Sequence, residues 1–171
     1  VALTAAVVEA GGDALALPRE GDEEWPIERA LMHAARSADL VVTSGGVSVG
    51  RRDFVRTGLE RNGSLDFWRI AVQPGKPLAV GSLGGATVIG LPGNPVSALV
   101  TFELFARPFI RATLDLVGDG RLHVSARPET RMEKDHARRA FLRVNVWHED
   151  GEIHARAAGG QSSSQLRPMA D

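Results

Sequence analysis

The chain has 171 residues, of which 43% are hydrophobic and 24% charged, and its formal net charge is −1. These values are typical of one globular domain, or of one domain and part of another, and they exclude a disordered or fibrous chain. The near-neutral charge provides no basic field for nucleic acid or a membrane surface, and no apolar run reaches the roughly 18 residues that span a bilayer. Cysteine is absent, which excludes disulfides and thiolate metal sites and fits a reducing, cytoplasmic setting.

Helix and strand patterns alternate from the first residue to about residue 116. The apolar spacing predicts helices over residues 1–11, 25–35, 53–62 and 96–116. Continuous apolar runs predict strands at 14–17, 39–43, 67–72, 78–80 and 87–90. This alternation predicts an α/β domain over residues 1–118, with three layers and a mostly parallel sheet.

The pattern changes after Gly120. Segments 122–126, 141–147 and 153–157 alternate apolar and polar residues, as half-buried strands do. This pattern predicts a small antiparallel β domain over residues 121–171. We expect that domain to be incomplete, because three strands make a marginal core. The chain also lacks an initiator Met, so we expect it to be part of a longer protein.

Two glycine-rich loops each follow a predicted buried strand and precede a predicted helix. The first contains Gly45, Gly46 and Gly50, with hydroxyl groups from Ser44 and Ser48. At such a junction, glycine lets the backbone approach a ligand while free main-chain N–H groups point towards it. Routine strand-to-helix turns also use glycine, but two such loops with hydroxyl residues favour a site for an anionic ligand.

The second loop is Pro92-Gly93-Asn94-Pro95. Pro95 suits the first turn of a helix, and Asn94 suits the position that caps it. Both loops leave the carboxyl ends of predicted strands, which is where open α/β sheets bind ligands.

Two charged residues next to these loops each have two interpretations. Asp53 either caps the helix that follows it or places a carboxylate at the mouth of an anion site, where a metal ion would reconcile the like charges. Lys76 is one of only two lysines against 18 arginines, and it lies between Gly75 and Pro77 on a turn stiffened by Pro74. It is either an exposed turn residue or a point charge for a phosphate or oxyanion.

Several common sites are not indicated. The histidines do not form a ligand set, and no Ser-His-Asp arrangement or nucleophile elbow is present. Neither a Walker A sequence nor the Gly-x-Gly-x-x-Gly fingerprint occurs, which argues against ordinary ATP or NAD binding.

Three segments together resemble the molybdopterin molybdenumtransferases, the MoeA family, whose eukaryotic form is the E domain of gephyrin. They are Ser-Gly-Gly-Val-Ser-Val-Gly-Arg-Arg-Asp (44–53), Phe-Trp-Arg-Ile-Ala-Val-Gln-Pro-Gly-Lys-Pro (67–77) and Gly-Leu-Pro-Gly-Asn-Pro-Val-Ser-Ala (90–98). Residues 141–143 and 159–163 are similar to parts of that family's C-terminal β-barrel domain.

The resemblance implies a MogA-like α/β fold and an enzyme that inserts molybdate into adenylylated molybdopterin and releases AMP. It implies catalytic roles for Asp53 and Lys76, with Asp53 also holding Mg²⁺ or a similar cation, and a contact from Arg143 of the second domain. The pocket for molybdopterin-AMP would be lined by Ser44, Gly45, Gly46, Ser48, Gly50, Pro74, Gly75, Pro92, Gly93, Asn94, Pro95 and Ser97. It further implies a homodimer in the full-length protein and substrate handed over from a molybdopterin adenylyltransferase.

The chain departs from the family in two respects. Gln73 stands where the family's turn usually has Lys, so one positive charge is missing unless Arg51, Arg52 or Arg69 replaces it. The family's first strand of this domain would precede Val1. Two other functions stay open: a non-catalytic scaffold of the gephyrin type, and a nucleotide enzyme like the adenylyltransferase or CinA.

Overall fold

A computed structural model describes residues 1–21, 23–47, 53–132 and 137–162. Its first part contains five α-helices and five strands. The helices are α1 (Ala2–Glu9), α2 (Glu24–Ala35), α3 (Phe54–Asn62), α4 (Pro95–Thr101) and α5 (Arg107–Thr113). The strands are β1 (Leu40–Ser44), β2 (Ser64–Trp68), β3 (Val72–Gln73), β4 (Ala79–Leu83) and β5 (Ala86–Leu91). The α/β class is confirmed, as are the helices expected over 1–11, 25–35 and 53–62.

Four of these strands form one sheet in the order β1-β5-β4-β2. β1 pairs with β5 in parallel, whereas β4 pairs antiparallel with both β5 and β2. The sheet is therefore mixed, and the expectation of a mostly parallel sheet was wrong. The physical reason is the Gly84-Gly85 turn between β4 and β5, because two residues can join antiparallel strands but not parallel ones.

Helices cover both faces of the sheet and give the expected three layers. On one face, Leu31 of α2 and Leu59 of α3 pack on Val88 of β5. On the other face, Ala6 of α1 packs with Ile89 of the same strand. Val88 and Ile89 point to opposite faces because side chains alternate along a strand, so β5 contributes to both cores.

The strand expected at residues 14–17 is not formed. Leu15 is 69% exposed and Leu17 is 40% exposed. Alternating Ala and Leu bury little area, and these residues pair with no strand in the part of the chain that the structure describes. The expected strand 67–72 is likewise interrupted after Trp68, where Arg69 adopts a positive φ of 69°.

The long helix expected over 96–116 begins at Pro95 and ends at Thr113. It contains a five-residue π-helical turn, Phe102–Ala106, between α4 and α5. This wider turn comes directly before Arg107-Pro108, and proline has no N–H for an α-helical hydrogen bond to the preceding turn.

The C-terminal region, which we call the C-terminal sheets, contains short strands. They are β6 (Arg127–Pro128), β7 (Arg139–Ala140), β8 (Val144–Glu149) and β9 (Glu152–Ala157). β8 and β9 form the expected antiparallel hairpin, but β6 pairs in parallel with β9 and β7 in parallel with β3. The described residues do not form a closed barrel.

The strand expected at 122–126 is not formed either. Leu122 is 90% exposed and Val124 is 51% exposed. Apolar and polar residues do alternate here, but pairing with β9 begins only at Arg127. A segment that pairs with no neighbouring strand gains little stability from an extended conformation.

Candidate functional site

Three loops leave the same edge of the four-stranded sheet. β1 and β5 are parallel, so the loops that follow Ser44 and Leu91 start side by side. β4 is antiparallel to β5 and to β2, so its first residue, Ala79, lies at this edge beside the last residue of β2, Trp68. The topology therefore brings together the first glycine loop, the second glycine loop and the turn that carries Lys76.

The two glycine loops contact each other directly. The Gly45 N–H donates a hydrogen bond to the Leu91 carbonyl over 2.9 Å, and the Ser44 hydroxyl lies 3.5 Å from the Pro92 carbonyl. A Cβ atom on Gly93 would lie 3.7 Å from the Gly45 Cα. Main-chain atoms of both loops thus form one continuous surface, as expected for a backbone-lined site.

Gly46 connects the first loop to the start of α3. Its carbonyl accepts a hydrogen bond from the Val55 N–H over 3.2 Å. Its φ is +71°, and a Cβ atom there would lie only 2.8 Å from the Val55 Cγ2. Glycine is required here for both reasons, and the close approach holds the loop against the helix that Asp53 precedes.

Asp53 is a buried carboxylate at the N-cap position of α3. The residue is 6% exposed, and both carboxylate oxygens are buried without a well-formed hydrogen bond from any described residue. Its side chain makes no well-formed capping bond to α3, although the Arg56 main-chain N–H lies close enough to lower its pKa, so capping accounts for this carboxylate only in part. Burial raises the pKa of Asp53 above its ordinary value, against the lowering effects of the Arg56 main-chain N–H and of the Arg56 and Arg69 charges.

The turn that carries Lys76 packs against α4. Gly75 is buried, and a Cβ atom there would lie 2.4 Å from the Thr101 Cγ2 and 3.7 Å from the Ser97 carbonyl oxygen. Because α4 begins in the second glycine loop, this packing brings the turn to the same edge of the site. Lys76 itself is exposed and has no ion-pair partner among the residues described.

The remaining residues of the expected site have more varied positions. Pro92 and Ser97 are buried, whereas Gly93, Asn94 and Pro95 are exposed. Asn94 occupies the N-cap position of α4 and Pro95 its first turn, as expected.

Two further expected site residues, Ser48 and Gly50, lie outside the described residues, as do Arg51 and Arg52. Pro74 is half-buried in the turn that contains Lys76.

Sequence reasoning missed the grouping of two arginines around Trp68. The Arg69 guanidinium lies 3.7 Å from the centre of the Trp68 ring, and that of Arg56 lies 4.3 Å from it. The sequence did offer one signal. Arg56 follows Asp53 by three residues at the start of a helix, and side chains at that spacing lie near each other.

Arg143 is held within the C-terminal sheets. Its guanidinium donates to the Gly160 carbonyl over 2.7 Å and to the Ser162 carbonyl over 3.2 Å, while its main-chain N–H donates to the Gln161 side chain. The two C-terminal segments that carried the resemblance are therefore in contact through Arg143 and residues 160–162.

A separate groove of about 700 Å³ runs along α1. Its charged side chains are already paired with one another: Arg121 bonds Glu9 and Glu103, and buried Arg107 lies within 3.1 Å of both carboxylates. This cluster is neutral overall and leaves no free charge for a ligand, so we place the candidate site at the three loops.

The described residues hold no group of three or more potential metal ligands, and none of their helices is both long and apolar enough to cross a membrane.

Two protein families match different parts of the chain. Residues 1–112 match the family described as "Probable molybdopterin binding domain", and residues 125–171 match "MoeA C-terminal region (domain IV)".

Similar proteins and a similar structure carry related names. The chain is 44% identical to the molybdopterin molybdenumtransferase of Haemophilus influenzae, over 83% of this chain and 36% of the relative. It is 36% identical to molybdopterin molybdenumtransferase 2 of Mycobacterium tuberculosis, over 99% of this chain and 43% of the relative. A crystal structure of the molybdopterin biosynthesis MoeA protein from Pyrococcus horikoshii superposes with a TM-score of 0.74 at 30% identity, covering 91% of this chain and 37% of that one. The chain thus spans less than half the length of these relatives.

Proposed function

This chain belongs to the family of the probable molybdopterin binding domain, and we propose that it is the part of a molybdopterin molybdenumtransferase that binds molybdopterin-AMP. The whole enzyme would insert molybdate into adenylylated molybdopterin and release AMP. The observation that carries the proposal is the convergence of three loops, two of them rich in glycine, beside a buried carboxylate. The match of residues 125–171 to the MoeA C-terminal region favours this enzyme over a single-domain adenylyltransferase.

The phosphate groups of the substrate would lie on the backbone surface formed by Gly45, Gly46 and Gly93. Gly45 and Gly46 have positive φ and carry no Cβ atom, so no side chain of theirs blocks the approach of a ligand to this backbone. Lys76 would supply a positive charge to the phosphate or to molybdate, since its ammonium group is exposed at the same edge. Ser44, Ser48, Gly50, Pro74, Gly75, Pro92, Asn94, Pro95 and Ser97 would complete the lining.

Asp53 would hold Mg²⁺ or a similar divalent cation. Two buried carboxylate oxygens without well-formed hydrogen bonds are suited to a hard cation, and one protein carboxylate together with substrate phosphates is a common way to bind Mg²⁺. When bound, such an ion neutralises phosphate oxygens and polarises the phosphoanhydride towards attack. Asp53 would keep the ion at the mouth of the glycine loops, and the positive charges of Arg56 and Arg69 favour the ionised carboxylate that a cation needs.

Several features of the full-length protein also belong to the proposal. We expect a cytoplasmic homodimer that receives molybdopterin-AMP from an adenylyltransferase, with Arg143 contributing from the C-terminal sheets. The names of the relatives support the reaction.

The test is calorimetric titration of molybdopterin-AMP into the 171-residue chain and three variants. Lys76→Ala should weaken binding by about 1–3 kcal/mol, because it removes a charge-assisted interaction. Asp53→Ala should abolish the dependence of binding on Mg²⁺. Arg61→Ala is the matched control, because it removes a positive charge from the far end of α3.

Unchanged affinity in Lys76→Ala would remove that residue from the site. If Arg61→Ala weakened binding as much as Lys76→Ala, the effect would reflect the overall charge of the chain, and the proposed site would be wrong.

A further inference from the structure

The turn that carries Lys76 is supported from two directions by the α/β layers. On the strand side, the Arg69 N–H donates to the Leu78 carbonyl over 2.8 Å and the Ile70 N–H to the Lys76 carbonyl over 3.0 Å. On the helix side, Gly75 packs against Thr101. None of these three contacts involves the residues just before the turn, Val72 and Gln73.

Those two residues form β3, and their partner comes from the C-terminal sheets. β3 is not part of the four-stranded sheet, and in the described residues it pairs only with β7. The Arg139 N–H donates to the Ala71 carbonyl over 2.8 Å, and the Phe141 N–H donates to the Gln73 carbonyl over 2.7 Å. The second bond lies one residue before Pro74 and three before Lys76.

We propose that the main-chain amides of Arg139 and Phe141 position the Lys76 turn, so that the C-terminal sheets set the oxyanion affinity of the glycine-loop site. This inference rests on the proposed function for the role of Lys76. A ligand held by an exposed lysine on a turn gains affinity when the turn is already ordered, because less entropy is lost on binding. Phe141 is a positioning residue in this account, since it acts through the turn and does not contact the ligand.

Along residues 139–141, alternate main-chain N–H groups point towards β3, and this provides matched variants. Phe141→Pro removes the N–H that bonds Gln73, whereas Phe141→Ala keeps that N–H and removes only the ring. Ala140→Pro is the second control, because the Ala140 N–H lies between the two bonding amides and points away from β3. Arg139→Pro removes the other bond and gives an independent variant if Phe141→Pro does not fold.

The experiment titrates molybdate into the whole chain and follows amide hydrogen exchange in the same samples. Phe141→Pro should bind molybdate about three to ten times more weakly, as expected for one lost main-chain hydrogen bond, while Phe141→Ala and Ala140→Pro stay within about twofold of the parent. The Ile70 amide should exchange faster in Phe141→Pro, and the Val88 amide in the sheet centre should not.

A double-variant cycle separates positioning from general destabilisation. With Lys76 already replaced by Ala, adding Phe141→Pro should cause no further loss of molybdate affinity. An equal further loss would overturn the inference, as would normal affinity in Phe141→Pro when Lys76→Ala binds weakly. If Lys76→Ala binds normally but Phe141→Pro still loosens only the turn, the proposed role of Lys76 fails and the structural support by the C-terminal sheets stands.

Discussion

Replacing Asp53 by Asn should stabilise the chain in the absence of ligands. The carboxylate is 6% exposed, and neither oxygen has a well-formed hydrogen bond among the described residues. Leaving a buried polar group without a hydrogen bond costs about 1–3 kcal/mol, and more when the group is charged. Asparagine has a similar shape and carries no charge, but its amide would still lack some hydrogen-bond partners. We therefore expect Asp53→Asn to raise the free energy of unfolding by about 1–2 kcal/mol at pH 7, or about 2–8 °C in Tm for a chain of this length.

The pH dependence has a definite sign. Burial raises the pKa of Asp53 above the ordinary 3.8, so the folded state binds the proton more tightly than the unfolded state. The stability that this proton provides is fully present below the ordinary pKa and is lost as pH rises through the folded pKa. The advantage of Asp53→Asn should therefore vanish near pH 3 and grow as pH increases towards neutrality.

Thermal unfolding with and without Mg²⁺ measures both effects. At ten times its dissociation constant, an ion bound only to the folded state stabilises it by about 1.4 kcal/mol, and this gain should occur in the parent chain but not in Asp53→Asn. Asp66→Asn is the control, because Asp66 is exposed on β2. A lower Tm for Asp53→Asn at pH 7, or an equal gain from Mg²⁺ in both proteins, would refute the assignment of an unsatisfied, cation-binding carboxylate.

The loops allow three further predictions. Gln73→Lys adds a positive charge near Lys76, so molybdate should bind about two to five times more tightly at low salt in a titration, and the gain should shrink at 0.5 M salt. Gly75→Ala places a methyl group 2.4 Å from a side chain of α4 at a φ of +115°, so denaturant unfolding should show a loss of about 2–4 kcal/mol, whereas Gly85→Ala, with a φ of +94° and open space around it, should lose about 1 kcal/mol. Gly93→Ala has its nearest neighbour at an ordinary 3.7 Å, so its Tm should stay within about 2 °C of the parent while molybdopterin-AMP affinity falls, and unchanged affinity would mean that no ligand approaches that backbone.

The local patterns of the sequence identified the helices and the positions of the glycine-rich loops, because both depend on residues close in the chain. Gly45 and Gly46 follow a buried strand, and the structure confirms that they adopt positive φ beside the second glycine loop. The contact between the loops follows from the parallel pairing of β1 with β5, which places the carboxyl ends of the two strands side by side.

Strand direction and pairing were harder to predict, because they depend on which distant segment of the chain has an unpaired strand edge nearby. The Ala-Leu alternation at 14–17 looked like a buried strand, but no described strand pairs with it, and Leu15 stays exposed. β3 is only two residues long and finds its partner 66 residues or more further along the chain. No periodicity in a two-residue strand could have indicated that pairing.

The charged groups around the candidate site were also hard to predict, because they come from separate elements of the fold. Asp53 had two interpretations from its position, and the burial of both oxygens without a well-formed capping bond favours the cation-binding one. The arginines around Trp68 come from a helix and from the end of a strand, and no local spacing joins all three residues.

The most direct test of the account is a main-chain amide NMR titration of the chain with molybdopterin-AMP. The largest shifts should occur at residues 45–47, 75–76 and 93–94, on the three loops that leave one sheet edge, and saturation should follow a single dissociation constant. Shifts concentrated instead at Ala5, Glu9 and Leu99, along the groove beside α1, would contradict the assignment of the glycine loops as the binding site.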